Sequence, residues 1–188
     1  MSFFETINKI VIQYFLNQSD GNRFFCEKQI QFRLGTEIFK KLNIEPHFEK
    51  TMCSDKREYI DLYFEQDDKK IGIEIKYKTT NKGSAEYRRH GAQLNAFAGC
   101  LYDISRLEKF ARAGNITKGY FILITNDSTY WPVNSKNGLY FPEKATIQNN
   151  FNAHWKSCPV YCKNISLHGE YNITWIGQGP FKCLIIPV

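Results

Sequence analysis

Two β-patterned runs, "REYIDLYFEQ" (57–66) and "KKIGIEIKYK" (69–78), stand on either side of Asp67 and Asp68, and they constrain the fold more than any other feature of the chain. In each run apolar residues alternate with polar ones, the period of a strand with one buried face, and the Asp-Asp pair between them supplies turn chemistry. A hairpin centred on the two aspartates pairs Ile60 with Ile75, Leu62 with Ile73 and Phe64 with Ile71, so these apolar side chains share one face. The same register sets Asp61 across from Glu74, and Tyr59 across from Lys76, on the opposite face. A slip of one residue would turn the apolar side chains to water, whereas a slip of two keeps the faces, so parity is specified more firmly than register.

Carboxylates placed directly opposite each other, roughly 5 Å apart at Cβ, repel and weaken a ladder. A divalent cation offsets that repulsion, and hard oxygen ligands suit Mg²⁺, which takes one or two protein carboxylates and keeps several waters. Lys76, two residues beyond Glu74, projects to the same face and adds a fixed cation. Taken singly, Glu74 and Lys76 also fit a solvated strand face whose exposed ion pairs contribute almost nothing. What singles out a site is the whole pattern: Asp61, twelve residues, Glu74, one residue, Lys76, within alternating apolar strands and after a helix that carries Glu27.

Phe3, Ile7, Ile10, Val11 and Tyr14 recur at helical spacing, and "NQSDGN" (17–22) breaks the pattern before a second helix that reaches about Leu42. The second helix buries a stripe of Ile30, Leu34, Ile38 and Leu42, with Glu27 and Gln31 one turn apart on another face. Strands are expected at 47–53, 58–65 and 70–77, then a long helix from about Tyr87 to Phe110. "KGYFILITND" (118–127) is a continuous apolar run, the mark of a central strand covered on both faces, and "YNITWIG" (171–177) and "FKCLIIPV" (181–188) read as closing strands. At 188 residues and 43% hydrophobic content, the order predicts one α/β domain over 1–188, a mixed sheet flanked by helices.

"IDLYFEQDDKKIGIEIK" (60–76) resembles the core motif of the PD-(D/E)xK nucleases, the restriction-endonuclease-like superfamily, whose members share a helix, a three-stranded antiparallel meander, a helix and a strand. The resemblance covers about 22–126 and leaves the N-terminal helix and a C-terminal strand extension outside it; Ile60 stands where the motif's name has proline. It implies that Asp61, Glu74 and the backbone carbonyl of Ile75 bind Mg²⁺, with Mn²⁺ as a substitute, and that Lys76 positions or activates the attacking water. Glu27 is similar to the acidic residue many members carry on the first core helix, though a glutamate at a helix start is favoured by the dipole in any case. Gln93 sits where several branches place a glutamine facing the active site, and equally where an exposed helix residue would sit.

The net charge is +6, which permits a polyanionic partner without demanding one. Residues 69–89 hold seven basic and two acidic side chains, so positive charge gathers beside the proposed site, and Lys78, Arg88 and Arg89 are the candidates for contact with backbone phosphates. The aromatic-bearing stretch 126–144 fits a lid on the core better than a base-stacking loop. His154, Cys158, Cys162 and His168 lack the close cysteine pair of a zinc site, and Pro159 breaks the helix that would align them. Cysteines at 26, 53, 100, 158, 162 and 183 show no disulfide-scaffold spacing, and the opening "MSFFETINKIVIQYFLN" is too polar for a signal peptide or membrane span, so reduced thiols in a cytoplasmic protein are expected.

Together these readings predict a Mg²⁺-dependent endonuclease acting on phosphodiester bonds of DNA rather than RNA, of restriction type, without a membrane partner and working as a homodimer by analogy. Two alternatives stay open. A non-catalytic nucleic-acid-binding protein of the same fold would bind duplex and never cut it, and a protein-interaction domain of a larger assembly would bind no polyanion at low salt.

Overall fold

The computed structural model describes residues 2–17, 26–53, 58–79, 93–130, 146–152, 164–177 and 181–188. Helices α1 (Phe3–Asn17) and α2 (Glu27–Leu42) precede strands β1 (His47–Cys53), β2 (Glu58–Gln66) and β3 (Lys69–Lys78). Helix α3 (Gln93–Arg112) then leads to β4 (Lys118–Thr125), a 3-10 turn at Ser128–Tyr130, the hairpin β5 (Thr146–Asn152) and β6 (Asn164–Asn172), and finally β7 (Trp175–Ile176) and β8 (Lys182–Pro187).

Six strands form one mixed sheet in the order β1-β2-β3-β4-β8-β7, with β3 and β4 parallel and the other neighbours antiparallel. The parallel step follows from the chain between those strands, because a crossover needs a dozen or more residues and α3 occupies it. β4 shows why its sequence is apolar throughout: Tyr120, Ile122 and Ile124 pack with α1 and α2 on one face, Phe121 and Leu123 with α3 and β6 on the other. On α1, Ile7, Ile10, Val11 and Tyr14 are buried as their spacing predicts, and Ser2 and Glu5 cap the helix reciprocally, each backbone N–H donating to the other's side chain. On α2, Ile30, Leu34 and Ile38 form the buried stripe while Leu42 is half-buried, and Asn43 closes the helix in the left-handed region at φ 54.

The β2–β3 hairpin turns at Asp67 and Asp68 and pairs Leu62 with Ile73 and Phe64 with Ile71, as parity requires. The ladder ends there. The expected pairs Ile60–Ile75, Asp61–Glu74 and Tyr59–Lys76 do not form, and Ile60 packs in the α3-side cluster rather than with Leu62 and Phe64. Two causes are visible. The Asp61 carboxylate takes the Ile75 N–H (2.7 Å) that a β2 carbonyl would otherwise accept, and Gly72 leaves room for Ile60, whose Cδ1 lies 2.6 Å from where a Cβ would stand. The neighbouring strand registers the same irregularity, since Glu49, between partners of Leu62 and Ile60, has φ 49.

The β5–β6 hairpin lies outside the expected elements; it is a separate two-stranded sheet laid against α3. Its anchor is Glu108, a buried carboxylate that accepts the backbone N–H groups of His168 and Gly169 (2.8 and 2.6 Å) and the Tyr171 hydroxyl (2.7 Å). No helix among the described residues is long and apolar enough to cross a membrane.

Candidate active site

Past Ile73, the edge of β3 that faces β2 is met by carboxylates instead of a strand. Asp61 accepts from Ile75 N–H, and Glu27, the first residue of α2, accepts from Tyr77 N–H at 3.1 Å. Each carboxylate replaces one rung of the ladder, which satisfies the backbone while holding the two strands apart. On a strand a residue's N–H and C=O face the same neighbour, so the Ile75 carbonyl also faces this opening.

Glu74 and Lys76, on the alternate parity of β3, meet α3. There Asp103 and Arg106 stand one turn apart: Lys76 Nζ lies 2.9 Å from Asp103 Oδ2, Arg106 Nη2 lies 2.5 Å from Glu74 Oε1, and Arg106 Nη1 lies 3.5 Å from Asp103 Oδ1. Arg106 Nη2 also donates to the Tyr59 carbonyl on the diverging end of β2. Glu74 is 2% exposed and lies beneath Arg106, whose side chain is 19% exposed, while Lys76 is 23% exposed. The site is thus four carboxylates, Glu27, Asp61, Glu74 and Asp103, against two cations, Lys76 and Arg106.

Burial sets the protonation of this group. It lifts the Asp61 carboxyl to about 6, with the Ile75 N–H and Lys76 pulling it down and Glu27 and Asp103 pushing it further up. Glu74 is raised well above the ordinary carboxylate range, first by burial and then by Asp103 and Asp61, against the opposing pull of Arg106 and Lys76. Burial disfavours a charged Lys76, yet Asp103, Glu27 and Asp61 outweigh it and hold the amine protonated. A permanently charged Lys76 can orient water and stabilise negative charge; it is not a free base.

The donor set fits a hard divalent cation. Asp61 commits Oδ2 to Ile75 and Glu74 commits Oε1 to Arg106, so a second oxygen on each carboxylate lies outside those contacts, with the Ile75 carbonyl beside them. With all four carboxylates ionised the cluster carries a formal excess of two negative charges, which one divalent ion neutralises. Among the described residues no three His, Cys, Asp or Glu side chains converge into a metal-holding group.

Sequence reasoning found Asp61, Glu74, Lys76 and Glu27, and the structure brings them together. It missed Asp103 and Arg106, although a signal was present: Asp103 falls in the apolar stripe Cys100, Leu107, Phe110 of α3, where an unpaired carboxylate would be costly. Gln93 is the first residue of α3, with its side chain outside the described residues, and Arg88, Arg89, His154, Cys158, Cys162 and most of 126–144 lie outside them too. Lys78 is half-buried at the carboxyl end of β3, in register with Thr125 of β4. Comparison of the chain with protein-family models, with curated proteins and with solved structures returns no match in any of the three.

Proposed function

We propose that this chain is a Mg²⁺-dependent endonuclease with a restriction-endonuclease-like fold, hydrolysing phosphodiester bonds in DNA. The observation that carries the reading is the opening between β2 and β3, where Asp61, Glu74 and Lys76 converge and the ladder gives way to carboxylates. Strands normally keep their ladders, and one whose rungs pass to two carboxylates, Asp61 and Glu27, beside an ion-paired Glu74 and Lys76 is a local irregularity of the kind functional sites make. Asp61, Glu74 and the Ile75 carbonyl would hold the ion, which when bound neutralises charge on the phosphoryl oxygens. Lys76, fixed by Asp103, orients the attacking water in line and stabilises the negative charge that develops. By analogy with small nucleases that cut a duplex by pairing two sites, two copies of the chain would act together.

The test compares cleavage of plasmid and single-stranded DNA by the wild type and by Asp61→Ala, Glu74→Ala and Lys76→Ala, with Mg²⁺ and with a chelator. The chelator should abolish cutting, and each variant should lose about a hundredfold or more while remaining folded. Equal cleavage by all four proteins would refute the site. One observation favours a second reading, a non-catalytic nucleic-acid-binding protein: Glu74 is 2% exposed and already ion-paired. Duplex binding without cleavage in Mg²⁺ or Mn²⁺ selects that reading.

A further inference from the structure

We propose that Gln31 and Asp61 share a buried water, which accepts from the Gln31 amide and donates to the Asp61 carboxylate. Gln31 is then a positioning residue for the side chain that takes over a rung of the β2–β3 ladder. The inference needs no bound ion and goes beyond the nuclease reading, which gives Gln31 no part.

Gln31 is 2% exposed, and its Nε2 has no hydrogen-bond partner among the described residues. A side-chain amide carries two N–H donors, and buried donors are satisfied by protein or by ordered water. Its place on α2 says where that water stands. Glu27, Gln31 and Gly35 recur four residues apart, so they line one strip of the helix. Contacts locate both ends of the strip: Glu27 accepts from Tyr77 N–H of β3 at 3.1 Å, and a Cβ on Gly35 would stand 3.3 Å from Leu62 Cδ2 of β2. Gln31, midway, therefore lies over the seam of the two strands, just past the Leu62–Ile73 pair where the ladder stops and Asp61 takes the Ile75 N–H. A buried water needs two to four polar partners. The seam supplies them: Gln31 Nε2 as donor, the Ile75 carbonyl facing the opening, and the Asp61 carboxylate, of whose roughly four lone-pair sites the Ile75 N–H occupies one. A side chain this enclosed points to water rather than a solute as its partner. The bridge ties α2 to β2 and holds Asp61 from a second direction. The rival arrangement is a direct hydrogen bond from Gln31 to Glu27, one turn earlier on the helix, which settles the amide without Asp61.

The test is a high-resolution crystal structure of the full wild-type chain and of Gln31→Met, which keeps the volume and removes the amide, with amide hydrogen exchange read on both. The expected result is a wild-type water within about 3.2 Å of both Gln31 Nε2 and an Asp61 carboxylate oxygen, absent from the variant. Exchange at Ile75 should be faster by about tenfold in the variant, with Ile71 and Ile73 of the same strand unchanged. A wild-type structure without that water, or with Gln31 bonded directly to Glu27, overturns the inference. So does exchange at Ile75 that stays unchanged, or that rises together with Ile71 and Ile73 as general loosening would make it. Where Gln31→Met fails to fold, Gln31→Leu takes its place and the wild-type structure still decides the water. Cleavage assays keep the two readings apart: a chain that shows the water and the exchange pattern but cuts no DNA overturns the nuclease assignment alone.

Discussion

At the scale of single residues, Asp61 does two opposing things: it replaces a backbone partner for Ile75, and it places a carboxylate where burial penalises the charge. A carboxyl raised from 3.8 to about 6 is protonated more readily in the folded chain than in the unfolded one. Its contribution to stability is therefore full below pH about 4 and is lost as pH rises through about 6. A two-unit shift corresponds to about 3 kcal/mol at most, and less once water at its partly exposed side is counted. Asparagine keeps an oxygen for Ile75 and removes the charge. Urea denaturation of metal-free Asp61→Asn should accordingly show a gain of about 1–3 kcal/mol at pH 8 that vanishes below pH 4. A variant no more stable than wild type at pH 8 would mean that the Asp61 charge carries no net penalty. Asp61, Glu74 and Lys76 stood out in the sequence because they are the ionisable members of an apolar–polar alternation, grouped on one face of the expected hairpin. Arg106 was not, since an arginine among the last turns of a helix is the ordinary complement of its dipole.

Elements show where pattern reasoning stops. Parity correctly fixed the pairing of Leu62 with Ile73 and Phe64 with Ile71, because those residues fill one core and nothing competes with the backbone ladder. It failed at Ile60, where a side-chain oxygen took over a rung, an event that a two-period alternation cannot register. Gly72 is the sequence clue to that failure, since a strand glycine marks a close approach. Adding a methyl there brings it within 2.6 Å of Ile60 Cδ1 and 3.2 Å of Ile116 Cγ2. Gly72→Ala should destabilise by about 1–3 kcal/mol, and Ile60→Val, which deletes the offending Cδ1, should recover part of that loss in the double variant. Strictly additive effects would place the strain elsewhere. The β5–β6 hairpin escaped sequence reading for a related reason: its attachment depends on Glu108, far away in sequence. Glu108→Ala leaves two N–H groups and a hydroxyl without their acceptor, so it should cost about 3–5 kcal/mol and abolish amide protection at His168 and Gly169 ahead of β2 and β3. Uniform loss of protection across the chain would instead make the hairpin part of one cooperative unit.

Over the whole molecule, the sheet carries two cores, one against α1 and α2 and one against α3 and β6, and the candidate site sits where α2 and α3 both reach the end of β3. This arrangement explains how six ionisable side chains share one locality without unfolding it, because helices on opposite faces each bring charges to the same opening. Charge of the opposite kind gathers just beyond it in sequence: residues 69–89 carry a local excess of five positive charges, close to the net +6 of the chain. Lys78 is the described member of that group at the carboxyl end of β3, half-buried and in register with Thr125. If the proposed nuclease reading holds, a cation at this strand end is suited to neutralising backbone phosphate, and such contacts release condensed counterions in proportion to their number. Binding of a duplex to the wild type in chelator, followed by fluorescence anisotropy across a salt series, should therefore weaken linearly on a log-log scale. Lys78→Ala should reduce that slope by about one while weakening all duplex sequences alike. Lys76→Ala, if its charge is already balanced by Asp103, should change the slope much less, although cleavage suffers more. An unchanged slope for Lys78→Ala would remove this residue from the interface and direct attention to Lys82, Arg88 and Arg89 as the source of the affinity.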